Sequence, residues 1–211
     1  FKQKTAYEIR NCDWSSDVCS SDLQHVEQSI AGFVREVRNR VRSNDPKALM
    51  AHLHEVLFEE AGFAGNSEDY YNPLNSYLPA VIESRRGLPI TLTLIYKAIA
   101  EPLGFEVQGV NAPGHFMAQV KAGGQTMIVD PFCGGRILTP NEAAMRVQEV
   151  TGLPAVDPSV VLPIAQNTQW LARMILNLER TFSRLGQRQH VQAMMELMDL
   201  LHRMRGEDQQ N

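Results

Sequence analysis

Just past Gly104 the spacing of apolar residues changes from three and four to two, and this switch constrains the fold more than any other feature of the chain. Before it the residues read as helices. Val26, Ile30, Phe33, Val34, Val37 and Val41 form one amphipathic stripe, stopped by Ser43-Asn44-Asp45-Pro46. A second helix opens at Pro46, carries Leu49, Leu53, Val56, Leu57 and Phe58, and ends at Gly62. A turn-rich but aromatic stretch follows, including Tyr70-Tyr71-Asn72-Pro73, and is expected to pack on the body as a loop. Asn75 or Ser76 can cap a third helix through Tyr77, Leu78, Val81 and Ile82, ending at Arg85-Arg86-Gly87. From Pro89 to Leu103 apolar residues cover most of a helix circumference, which predicts a helix buried mid-domain and stopped by Pro102 and Gly104.

Beyond the switch, Phe105 to Val110, His115 to Val120 and Thr126 to Asp130 read as strands. Helices followed by an antiparallel run predict an α+β fold. With Ala122-Gly123 as a two-residue turn, His115 would face Asp130, Met117 would face Ile128, and Phe116, Ala118 and Val120 would meet Met127 and Val129 on the core side. A four-residue loop would shift the register by two and make His115 and Asp130 diagonal neighbours. A carboxylate beside an imidazole fixes its tautomer, the relation found where His acts as a general base. The pair lacks a nucleophile, which in a Cys-His-Asp arrangement sits at the N-terminus of a buried helix.

The 211 residues, 44% hydrophobic, suit one globular domain or one domain with a small appendage. The net charge of −4, without long runs of one sign, excludes nucleic acid as a first expectation. No stretch reaches membrane-spanning length and no leader opens the chain, so a soluble, unexported protein without membrane association is expected. Residues 1–23 stand apart. Lys2 to Ile9 and Cys12 to Leu23 back-translate into short-read sequencing-adaptor DNA, and their Ser-Ser-Asp repeats lack a hydrophobic period. They are expected to be an artefactual, disordered segment, with the protein beginning near Gln24. Cys133 is then the single remaining cysteine, without metal-ligand spacing, which implies no metal, no disulfide and a cytoplasmic setting.

Five motifs occur in an order and spacing that resembles the SirB family of transglutaminase-like proteins: Gly62-Phe63-x-Gly65-Asn66, Asn75-Ser76-Tyr77-Leu78, Arg86-Gly87-Leu88-Pro89-Ile90-Thr91-Leu92, Pro113-Gly114-His115-Phe116, and Asp130-Pro131-Phe132-x-Gly134-Gly135-Arg136. The likeness is strong over residues 45–140 and looser on the flanks. It implies a papain-like transglutaminase core, helices packed on a small antiparallel sheet, with His115 and Asp130 on the superfamily's His and Asp. It puts Pro89 where the superfamily carries its cysteine. Thr91 is the nearest hydroxyl, alternatively a residue that caps the first helical turn, and Cys133 a thiol that glycines could bring near the pair. Asn75, Tyr77 and Phe116, from the same motifs, are candidate binding residues, and no cofactor is implied.

Thr139-Pro140-Asn141-Glu142 is a capping box opening a helix to about Val150. An extended linker from Leu153 to Pro163 precedes two helices, striped by Trp170, Leu171, Met174, Ile175, Leu178 and Phe182 and by Val191, Met194, Met195, Leu197, Met198 and Leu201. They resemble one tetratricopeptide-type hairpin, as SirB-family proteins carry. The expected organisation is a transglutaminase-like domain over residues 24–152 and a linker with a helical hairpin over 153–211. A lone repeat must dock on the core or offer a surface to a partner. Five of nine methionines lie in it, and Met-rich faces adapt to varied partners. The reading that follows is a transglutaminase-like scaffold without a nucleophile, acting as a regulatory module that binds another protein through the hairpin or the pocket near His115. The alternative is an amide or ester hydrolase or acyltransferase that uses His115 and Asp130 with Cys133 or Thr91.

Overall fold

The computed structural model describes residues 16–42, 45–154 and 157–208, with backbone alone for 16–21 and 205–208. Helix α1 (Ser16–Arg40) leads into α2 (Pro46–His54), capped by the Asp45 carboxylate on the Lys47 amide at 3.2 Å. The chain continues as a π-helical turn over Glu55–Glu60. Helix α1 starts eight residues before Gln24, so residues 16–23 are helical rather than disordered, whereas packing begins at Val26 and Leu23 stays exposed. A helix anchored by an apolar stripe extends into poorer sequence at little cost, because nucleation is already made. The rest of the expected artefactual segment, residues 1–15, lies outside the described residues.

Helix α3 (Leu78–Ser84) has Tyr77 at its N-cap position, so neither Asn75 nor Ser76 caps it; both belong to a 3₁₀ turn over Pro73–Ser76. It ends at Ser84, short of the expected Arg85-Arg86, because Arg85 takes the left-handed conformation (φ 60°), its guanidinium over the Phe33 and Phe63 rings. Helix α4 (Pro89–Ala100) has nine of its twelve residues buried, as its apolar circumference requires.

Five antiparallel strands form the sheet, in the order β6 (Arg136–Leu138), β5 (Gln125–Asp130), β4 (Met117–Ala122), β3 (Glu106–Val110), β7 (Ile164–Ala165). A short parallel pair, β1 (Ala64–Gly65) with β2 (Arg86–Gly87), stands apart from it. Ala118 faces Val129 and Val120 faces Met127, so the β4–β5 turn is Gly123-Gly124 rather than Ala122-Gly123. Both glycines have positive φ (54° and 80°), which the tight hairpin turn demands and alanine resists. His115 and Asp130 are accordingly diagonal, not directly opposed.

One sheet face, with Val107, Ala118, Val120 and Val129, shares a core with α1, α2, α3 and α4. The other, with Val110, Met117, Ile128 and Leu138, is covered by α5 (Pro140–Thr151), whose Thr139–Glu142 capping box is formed as expected, and by α6 (Pro158–Val161). The expected linker therefore contains α6, and β7 beyond it joins the sheet. Helix α7 (Asn167–Arg184) docks on the core through Trp170, which packs against Phe116 with ring centroids 4.6 Å apart. A Cβ at Gly109 would run into the Trp170 ring. Helix α8 (Arg188–Asp208) packs on α7, with Met194 and Met198 half-buried and Met195 exposed. No described helix is long and apolar enough to cross a membrane.

Gly109→Ala is expected to cost about 1–3 kcal/mol in urea unfolding by overpacking against Trp170, with altered Trp170 fluorescence in a chain starting at Gln24. His54, half-buried and hydrogen-bonded at 3.1 Å to the Tyr96 hydroxyl, has its pKa lowered to about 4 by desolvation. Below the unfolded value near 6.5 the unfolded chain binds the proton first, so stability falls between there and about pH 4, by about 2–3 kcal/mol. His54→Gln should flatten this limb of the stability–pH curve; an unchanged slope would contradict the assignment.

Candidate functional site

Asp130 ends β5 almost wholly buried, and both carboxylate oxygens are engaged. Oδ1 accepts from the amides of Phe132 (3.1 Å) and Cys133 (3.3 Å), shaping the 3₁₀ turn Pro131–Cys133. Oδ2 meets His115 Nε2 at 2.8 Å. Burial alone would raise the Asp130 pKa, but His115 and the Cys133 amide bring it below the usual carboxylate value. His115, itself buried, follows the turn at Pro113-Gly114, and its ring meets Phe132 edge-on at 5.9 Å. Phe132 lies so close to Gly65 that a Cβ there would collide with the ring, which gives the Gly62-Phe63-x-Gly65 motif a packing role.

A small cleft opens beside the pair, lined by Tyr70, Pro89, Ile90, Gly114, His115, Phe116, Arg173 and Asn177. Four pieces of chain meet there: the aromatic loop, the first turn of α4, the entry to β4 and the middle of α7. Pro89 thus stands at the N-terminus of the buried helix and beside His115, as the motif alignment implies. Phe116 also lines the cleft.

The other candidates lie elsewhere. Thr91 is fully buried, its hydroxyl has no hydrogen-bond partner among the described residues, and it lies outside the cleft lining. It does not cap α4: the N-cap is Leu88, and Thr91, at the third helical position, is drawn into the core. Cys133 is exposed, its Sγ at 3.3 Å from Arg146 Nη2. Although the residue as a whole is exposed, desolvation of its thiol and the Asp130 carboxylate push the thiol pKa up, against the effect of Arg146. Asn75 organises the loop rather than the cleft: buried, it accepts from Asn66 Nδ2 (2.9 Å) and donates to the carbonyls of Asp69 (2.7 Å) and Tyr70 (3.1 Å). Tyr77, half-buried at the start of α3, is not among the residues lining the cleft.

Tyr70, Arg173 and Asn177 are the cleft residues that sequence reasoning missed. Arg173 and Asn177 are four apart on α7, opposite chemistry to its apolar stripe, and that spacing was the available signal. Arg173 donates to Asn111 Oδ1 (2.9 Å), the Ala112 carbonyl (3.2 Å) and, at 3.5 Å, the His115 carbonyl. No group of three or more His, Cys, Asp or Glu side chains that could hold a metal occurs among the described residues.

An α+β core with a buried His-Asp pair beside the N-terminus of its central helix defines the transglutaminase-like class. Residues 24–176 match the family model described as "Transglutaminase-like superfamily", and the chain belongs to that superfamily. A UPF0162 protein of Xylella fastidiosa is 36% identical over 166 residues, covering 77% of this chain and 59% of the relative. The human F-box only protein 21 is 27% identical over 227 residues, covering 95% of this chain and 35% of its own. The chain thus spans about three-fifths of the UPF0162 relative's length. A solved structure titled "Crystal structure of a TGase" aligns with a TM-score of 0.43 at 13% identity, over 59% of this chain and 35% of that one.

Asp130→Ala would leave two backbone amides and the buried His115 ring without their acceptor. It is expected to cost about 2–4 kcal/mol in urea unfolding, with Asp130→Asn less severe.

Proposed function

We propose that this chain is a SirB-type, catalytically degenerate member of the superfamily, a regulatory module that binds another protein through the cleft near His115 or the α7–α8 hairpin. The observation that carries the reading is Pro89, a residue without any group that could attack, opening the central helix on the same cleft as His115. Two further observations support it. The Cys133 thiol is held above its ordinary pKa and is hydrogen-bonded to Arg146, and the Thr91 hydroxyl is buried without a hydrogen-bond partner among the described residues. We place the module in the cytoplasm, on the single cysteine after Gln24, and read residues 1–23 as extraneous, in keeping with a family match that opens at Gln24. A second reading, an amide or ester hydrolase or acyltransferase with His115 as base, Asp130 orienting it and Cys133 or Thr91 attacking, draws on the intact buried pair.

The alkylation rate of Cys133 against pH separates the two, measured on a chain starting at Gln24 with and without His115→Ala, and with His115→Gln should the alanine variant unfold. The expected profile is slow, titrates above the ordinary thiol value of ~8.5 and is indifferent to position 115. Fast alkylation at mildly acidic pH that disappears with the substitution would establish a thiolate–imidazolium pair and overturn the degenerate reading.

A further inference from the structure

Helix α7 carries Arg173, Asn177, Arg180 and Arg184 at intervals of four, three and four residues, so they align on one helix face. The first two line the cleft with Tyr70 and His115. Arg184 lies over the Tyr71 ring, 3.9 Å from its centroid. Arg180 is exposed, and its charge, like that of Arg173, acts on the Tyr70 phenol. The polar face of α7 therefore runs along the aromatic loop as a row of three guanidinium groups leading into the cleft.

None of the three forms an ion pair among the described residues. Arg173 is half-buried and fixed by neutral acceptors alone, the Asn111 side chain and the carbonyls of Ala112 and His115. Desolvation and the like charge of Arg180 both work against its charged form. Asp69, the loop's nearest carboxylate in sequence to Tyr70, is exposed and accepts from Asn72 Nδ2 at 2.8 Å. A planar guanidinium in a half-buried site is best compensated by a carboxylate, which accepts two parallel N–H bonds from it.

We propose that the groove between α7 and the aromatic loop binds an acidic peptide segment of a protein partner, one carboxylate entering the cleft on Arg173, Asn177 and the Tyr70 hydroxyl, and further carboxylates following Arg180 and Arg184. This rests on the protein-binding reading and gives the partner its chemistry. The row of like charges also makes the encounter with an acidic segment faster and dependent on ionic strength.

The test uses a fluorescent hexaglutamate peptide ending in p-nitroanilide and its hexaglutamine counterpart, each followed by fluorescence anisotropy and by p-nitroaniline release. Hexaglutamate should bind at least about tenfold more tightly than hexaglutamine, and lose that advantage in high salt. Arg180→Glu with Arg184→Glu, both exposed, should weaken it about tenfold or more, and Arg173→Lys, which keeps charge but loses the planar fork, should weaken it less. Arg35→Glu with Lys47→Glu, an equal change of net charge on α1 and α2, should leave binding unchanged. Equal binding of the two peptides, or equal loss in both charge-reversed pairs, overturns the acidic-segment assignment. Release of p-nitroaniline that depends on His115 would overturn the non-catalytic reading instead, whichever peptide binds.

Discussion

A carboxylate taken almost wholly out of water costs several kcal/mol unless its oxygens are met by donors, and Asp130 meets that condition with three. Oδ1 holds the amides of Phe132 and Cys133, so the chain leaving β5 must turn at once. The Asp130 carbonyl accepts from the Gly135 amide at 2.9 Å, which closes that turn, and Arg136 then pairs with Asp130 at the start of β6. Oδ2 holds His115, which fixes the approach to β4. One buried side chain thus sets the end of one strand, the start of another and the imidazole between the aromatic loop and the central helix. The β4–β5 register must deliver His115 within reach of Asp130, and the Gly123-Gly124 turn provides the backbone that allows it.

The cleft needs more than the core. Helix α7 is anchored where β3 has Gly109 and the entry to β4 has Phe116, a flat apolar seat for the Trp170 indole. Three and seven residues further along the helix, Arg173 and Asn177 become the wall of the cleft. The position of that wall is therefore set by packing at Trp170 and by the hydrogen bonds of Arg173 to the segment carrying His115. Docking of α7 and the geometry of the His-Asp site are mechanically one feature. The family match, ending at residue 176 within α7, spans this anchor as well as the core.

Most of the framework was legible because periodicity reports burial directly. The switch at Gly104 located the sheet, the all-round apolar stretch located the buried helix, and side-chain alternation placed His115 and Asp130 on a common face whichever turn closed the hairpin. The turn itself was misplaced by one residue, since Ala122-Gly123 and Gly123-Gly124 differ only in which residues must take positive φ. The hydrogen bonds of Asn75 run within the loop, a role its sequence position does not separate from ligand binding, because an asparagine between turns offers the same groups to backbone as to a ligand. Arg173, Asn177 and Tyr70 are hidden for a different reason. The polar face of an amphipathic helix looks solvated in sequence, and only the docking angle of α7 turns part of it toward His115. The two-residue strands β1 and β2 and the π-helical turn after α2 leave no periodic signal at all, being too short to repeat.

A buried His-Asp pair is commonly taken as the mark of a working base, but here the fold accounts for the pair without one. The turn after β5 requires an acceptor at Asp130 Oδ1, and once that carboxylate is buried its second oxygen must find a donor. His115 is that donor at 2.8 Å, so the pair serves folding whether or not a nucleophile is present. The opposite side of the cleft has been settled by folding as well. Proline at the first position of α4 lacks an amide hydrogen that the helix could not have used, and its fixed φ suits the first turn, so Pro89 opens a buried helix without an unpaired donor. A thiol in that place would gain reactivity from the helix dipole and the imidazole. A proline gains none, and across the cleft from it stands Arg173, held by neutral acceptors alone.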